Sequence, residues 1–207
     1  MHFFIEHNKG HHKHVATPQD PSSARRGEPL YFFYVRTMLF SYISAWRIAN
    51  DEMRKKGKAI FSLSNEMLQA QLWQIALVIL IFAGFGVMPM LAFIAAAFTG
   101  ALLLETVNYI EHYGLQRKET TPGKYERALP IHSWNSSHPL GRIMLFELSR
   151  HSDHHYLASR PYQVLRHHDA APQLPTGYPG SMILSLIPTL WFMVMDKRIE
   201  RLKEISN

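Results

Sequence analysis

Hydrophobic and polar positions are sharply segregated along this chain. Between Glu66 and Glu105 no residue is charged. A single helix over that stretch would be about 57 Å long, well beyond the roughly 30 Å hydrocarbon core of a bilayer. Gly84, Gly86 and Pro89 cluster where a break is needed, so the pattern predicts two spans, at 67–84 and 88–110, joined by a short uncharged turn. A buried helical hairpin of a water-soluble core is the competing reading. Two further apolar stretches are weaker. Leu30–Trp46 is rich in Phe, Tyr and Leu but carries Arg36 mid-run, which suits a helix lying in the interface, and Met182–Met195 is short and interrupted by Pro188, which suits a buried or in-plane segment.

Charge placement orients the spans. Arg54, Lys55, Lys56 and Lys58 precede them, and Arg117, Lys118, Lys124 and Arg127 follow, so both flanks are expected on the cytoplasmic side and the Gly-Pro turn on the other. The mean hydropathy of -0.12 averages over this segregation and conceals it. A formal charge of +6 then reads as basic loops near anionic lipid, and no DNA- or RNA-binding motif argues for a nucleic-acid partner. Cysteine is absent, which excludes disulfides, thiolate zinc sites and iron-sulfur ligands; any metal is held by nitrogen and oxygen. At 207 residues the chain is one domain by length, or part of a larger one, without a recognisable signal peptide.

Histidines supply the candidate chemistry. His7, His11 and His12 fall in EHNKGHH, His112 in NYIEHYG, and His151, His154 and His155 in RHSDHH. On a helix, positions i, i+4 and i+5, or i, i+3 and i+4, project within about 140° of arc, so each cluster is able to aim its rings into one cavity. Seven imidazoles in this pattern point to a polynuclear metal centre, and imidazole alone does not choose among iron, copper and zinc. His2, His14, His132, His138, His167 and His168 lack the patterning and read as ordinary structural or surface histidines. Glu105, Asn108 and His112 lie at i, i+3 and i+7 on the second span, a stripe that is costly in lipid unless it faces a site or a helix neighbour. Glu105, Asn108 and Asp153 are therefore candidates to orient ligands by hydrogen bonds, and Trp134 and Asn135 in HSWNS to pack over or bond to the site. Arg150, Arg160 and Arg166 flank the last cluster and either pair with carboxylates or form a solvated basic face. A redox metal at the end of a bilayer helix fits oxidation of a lipid-soluble substrate.

Several separated motifs also carry a resemblance. Glu6–Arg25 (EHNKGHHKHVATPQDPSSAR), Asn108–Leu115 (NYIEHYGL) and Leu148–Arg166 (LSRHSDHHYLASRPYQVLR), with PIHSWNS and PTGYPGSM, resemble the second histidine box, the HYG motif and the third histidine box of membrane-bound alkane 1-monooxygenases, in that family's order. The resemblance implies an all-α membrane protein, the C-terminal part of a six-span bundle with a His-rich cytoplasmic cap, in a bacterial inner membrane. It implies two non-haem irons, O2 as co-substrate, terminal hydroxylation of medium-chain n-alkanes to primary alcohols, and electrons from rubredoxin reduced by an NADH-dependent reductase. The seven clustered histidines fall on seven of the nine iron-binding positions of that family. Its first box, HExxHK, lies upstream of the second, so residues 1–207 are expected to form a partial domain lacking that box and the N-terminal spans. Met1 is then expected to be an internal methionine of a partial reading frame, and the isolated chain to load metal incompletely and hydroxylate little. A fatty-acid desaturase and a xylene-type monooxygenase are the neighbouring enzyme readings; a non-catalytic membrane metal-binding fragment is the alternative of another class. Three residues between His7 and His11, where desaturases have two, favour the alkane family.

Overall fold

The computed structural model describes residues 2–206, and the chain is mostly helical. Its helices are α1 (His2–Glu6), α2 (His12–His14), α3 (Leu30–Lys55), α4 (Glu66–Phe85), α5 (Val87–His112), α6 (Pro139–Met144), α7 (His151–Tyr156), α8 (Gly177–Ser185) and α9 (Pro188–Ser206). A small antiparallel pair, β1 (Glu119–Thr121) and β2 (Lys124–Tyr125), departs from the all-helical expectation; Gly123, with φ of 75° on the left-handed side, makes its tight turn. Two compact units emerge. One holds the described residues up to Lys13 with Thr37–Leu104, the other His14–Arg36 with the described residues from Glu105 onward.

In the first unit α4 starts where Asn65 caps it: the Asn65 Oδ1 accepts from the Met67 and Leu68 amides at 3.0 and 3.4 Å, satisfying donors that have no partner within the helix. The break falls at Gly86 alone, whose φ is 84°, while Gly84 remains helical and Pro89 sits in the first turn of α5, where a missing N–H costs nothing. Helices α4 and α5 are long and apolar enough to cross a membrane, and almost none of their apolar side chains are buried. A soluble-core hairpin would bury these residues, so the water-soluble alternative loses its ground. Ile5, Ala45, Ala49 and Met67 form this unit's core. Lys9 bonds to Glu52 and Glu66, at 2.9 Å each, and ties the histidine segment to α3 and α4.

Helix α3 extends to Lys55, well past the Trp46 boundary expected from sequence. Its interior Arg36 is neutralised by Glu28 and bonded to the Pro21 and Ser23 carbonyls, which explains how a cation is tolerated mid-run. The Met182–Met195 segment is two helices rather than one interrupted segment, because Pro188 opens α9 instead of breaking a continuing helix. In the second unit Phe33, Tyr109, Tyr113, Trp134, Tyr178 and Trp191 build an aromatic core. Each ring removed from water contributes about 1.5–3 kcal/mol, and this is the platform beneath the last turn of α5.

Candidate metal centre

The segment joining α1 to α2 is a π-helical turn, His7–His11. In that turn the His12 amide donates to the His7 carbonyl, an i→i+5 bond, so residue i+5 stands over residue i. His7 and His12 therefore face one another, with Nε2 atoms 3.2 Å apart, closer than a regular α-helix would bring them. His7 and His11 are stacked at 5.1 Å between ring centroids, and His11 is buried. Gly10 lies in this turn because a Cβ there would strike the Glu6 carboxylate and crowd Ile48 of α3.

In the second unit, α5 delivers His112 at its last residue and α7 delivers His151 and His155 from one face. His151 Nε2 stands 3.1 Å from His112 Nε2 and 2.8 Å from His155 Nε2, and all three rings are buried. Metal–imidazole bonds of about 2.0–2.1 Å at tetrahedral to octahedral angles set neighbouring nitrogens about 2.9–3.4 Å apart. This convergence of three buried imidazole nitrogens thus fits ligation of a shared ion. His154, half-buried, projects from the next face of α7, its ring 5.4 Å from that of His155.

Glu111 completes the arrangement and was missed in the sequence. Its Oε1 lies 3.2 Å from His151 Nδ1, both groups being nearly fully buried. A carboxylate accepting the Nδ1 proton holds the tautomer in which Nε2 presents its lone pair to the other rings. Tyr178 donates its hydroxyl to the same carboxylate oxygen at 2.9 Å, and burial together with Glu111 pushes the Tyr178 phenol well above its usual range. Only its adjacency to His112 in NYIEHYG signalled Glu111, and adjacent residues lie about 100° apart on a helix, outside the Glu105–Asn108–His112 stripe.

The other expected supporting residues take distinct positions. Asn108 donates to Glu105 at 3.2 Å, both buried toward the C-terminal end of α5. Trp134 packs in the aromatic core, its backbone N–H on the Glu111 carbonyl at 2.8 Å and its indole N–H on the Tyr113 carbonyl at 2.9 Å. Asn135 Oδ1 accepts from the Ser152 amide at 2.8 Å, capping α7, whose own Arg150 supplies no side-chain cap. Asp153 binds Arg160, the Arg166 amide at 2.8 Å and His168 Nε2 at 2.7 Å, so among the described residues its carboxylate braces the 160–168 segment. Burial would raise this carboxyl, and those three donors outweigh burial and hold it below its usual range. His132, read as structural, accepts from the Leu129 amide at 3.0 Å and lies 3.3 Å from Glu126. Gly114 of HYG has φ of 70°, and a Cβ there would collide with Ile199 of α9.

A family model described as fatty acid desaturase matches residues 2–183. The chain belongs to the fatty acid desaturase family. It is 46% identical over 197 residues to alkane 1-monooxygenase 1 of Pseudomonas aeruginosa, covering 95% of this chain and 52% of that protein. It is likewise 46% identical over 204 residues to alkane 1-monooxygenase of Acinetobacter baylyi, covering 98% and 50% respectively. A more distant relative, the xylene/toluene monooxygenase hydroxylase component XylM of Pseudomonas putida, is 31% identical over 193 residues, 93% of this chain and 51% of that protein. The chain spans about half the length of these curated relatives. Family and apolar helices together make it a membrane protein, as the hydropathy pattern implied.

Proposed function

We propose that this chain carries part of the metal centre and two of the spans of a non-haem di-iron alkane 1-monooxygenase, which converts the terminal methyl of a medium-chain n-alkane to a primary alcohol. The observation that carries the reading is the convergence of His112, His151 and His155 at the end of a membrane-length apolar helix, in a chain 46% identical to alkane 1-monooxygenases. His7, His11, His12 and His154 complete the proposed ligand set, with Glu111 accepting from His151 and with Asn135 and Asp153 bracing α7 and the segment after it. Glu105, Asn108 and Trp134 support the α5 end of the site. Iron bound there supplies O2 activation with two electrons from an external donor. The protein's own contributions are to hold the imidazoles in their ligating tautomers, to keep the site dry and to let an apolar chain approach along α4 and α5.

Electrons are proposed to come from rubredoxin, itself reduced by an NADH-dependent reductase. Cysteine is absent, so no thiolate iron centre is available within these residues. Basic residues flanking the spans suit an acidic donor and a cytoplasmic location of the histidines in a bacterial inner membrane.

The chain by itself is expected to load metal incompletely and turn over little, so the test is product analysis on the chain joined to the N-terminal half of an alkane 1-monooxygenase relative, reconstituted in lipid, loaded with Fe(II) and supplied with rubredoxin, reductase, NADH and O2. Octane, a xylene and a saturated acyl substrate are offered together. 1-Octanol as the main product supports the reading; a methylbenzyl alcohol would move the chain to the xylene class of its more distant relative, and an unsaturated acyl product to the desaturases. Iron bound per chain, and its loss in His151→Ala, gives a readout that does not depend on turnover.

A further inference from the structure

The second unit exposes a run of large apolar side chains at the α8–α9 corner. Ile183, Leu186, Ile187, Leu190 and Met193 are all between 42% and 68% exposed, while the opposite face of α9, Trp191, Met195 and Ile199, is buried in the aromatic core. The outer stripe of α9 does not stay apolar. Leu190 and Met193 are followed, at helical spacing, by exposed Lys197 and Arg201. From Met193 to Lys197 the helix rises about 6 Å, close to the thickness of one lipid headgroup layer. Of the carboxylates on the same helix, Asp196 accepts from the Tyr113 hydroxyl at 2.9 Å and the exposed Glu200 from Arg26 at 2.7 Å, while the exposed Glu204 follows Arg201 beside the exposed Lys203. Tyr31 lies beside the corner, its hydroxyl donating to the Leu186 carbonyl at 2.8 Å, with its half-exposed ring alongside, as in the aromatic belts of membrane proteins.

We propose that the α8–α9 corner is a second membrane-contact element, distinct from α4 and α5, which dips its apolar tip into the acyl region and sets Lys197 and Arg201 against anionic lipid headgroups. A stripe that passes from apolar to cationic along the axis within one headgroup layer suits a helix whose end dips into the bilayer; the core of a protein–protein contact is depleted in lysine. The element gives the second unit a bilayer anchor of its own, independent of whether metal is bound.

The cysteine-free chain permits a direct test. Ile187→Cys, Leu190→Cys, Arg201→Cys and, as the aqueous control, Lys124→Cys on β2 are each labelled with an environment-sensitive fluorophore; all four side chains are exposed, so the fold is not disturbed. The labelled chains are reconstituted into vesicles of phosphatidylcholine with phosphatidylglycerol. At positions 187 and 190 the label is expected to be quenched by nitroxide-bearing lipid and several-fold shielded from iodide relative to 124. Replacing phosphatidylglycerol by phosphatidylcholine is expected to raise iodide access at 201. Iodide access at 187 and 190 equal to that at 124 overturns the proposal, and so does shielding from iodide without quenching by lipid, which would mean a protein cover. Iodide access at 201 that ignores lipid charge overturns the headgroup contact.

Discussion

Glu111 acts on the candidate centre through one atom of His151. Its Oε1 receives the Nδ1 proton 3.2 Å away and is itself steadied by the Tyr178 hydroxyl, so the charge and orientation of His151 are fixed on the side away from the converging nitrogens. Outer carboxylates of this kind are typically worth 10–100-fold in metal affinity, by order of magnitude. Glu111→Gln keeps an oxygen acceptor but loses the charge, and is expected to weaken iron binding by about 10-fold; Glu111→Ala loses both, and is expected to approach 100-fold. Competition against a chelator of known affinity measures both. Equal affinity in all three proteins would show that Glu111 does not orient His151. The glycines of the two motifs act sterically. Gly114→Ala places a Cβ against Ile199 in a left-handed backbone, and is expected to destabilise the protein by about 1–3 kcal/mol, read as a lowered Tm in detergent.

At the scale of elements, α7 is too short to stand alone. Six residues do not sustain a helix in water, so its position rests on Asn135 at its start and Asp153 within it. Asn135→Ala is expected to cost about 1 kcal/mol of stability, as a lost N-cap does, and to lower metal affinity as well, whereas Asn135→Asp, which keeps the acceptor, is expected to retain most of both. Thermal melts and metal titrations on the two variants separate capping from a local packing defect. Much at this scale was legible beforehand. The uncharged run with its glycines gave α4 and α5 to within two residues at each end, because hydropathy and turn chemistry are local signals. Likewise, the helical spacing of RHSDHH gave the shared face of His151 and His155. Less legible were features created by partners distant in sequence. The ion pair that lets α3 run through Arg36, the cross-chain cap from Asn135 and the Tyr178–Glu111–His151 chain each join residues 8 to 67 positions apart. The π-turn at His7–His11 was hidden for another reason: its sequence also satisfies an ordinary helix, and only the packing of Gly10 against Glu6 and Ile48 exposes the difference.

For the whole molecule, the consequential property is the number of membrane crossings between its histidine clusters. Helix α4 has 20 residues and α5 has 26, about 30 and 39 Å at helical rise, so each suffices for one crossing and Gly86 alone joins them. Two crossings return a chain to the side it left, which is the topology the proposed centre needs. The proposed cytoplasmic location of both flanks rests on their basic residues, each of which resists transfer across the bilayer. Lys58→Cys and Lys118→Cys are therefore expected to react with a membrane-impermeant maleimide only from the cytoplasmic side of oriented vesicles, and Met88→Cys, 73% exposed beside the turn, only from the opposite side. Labelling of positions 58 and 118 from opposite sides would mean a single crossing, and would separate the clusters by the full thickness of the bilayer. The proposed hydroxylase centre does not survive that result, whereas labelling of all three positions from one side would leave the histidines together but deny α4 and α5 their role as spans.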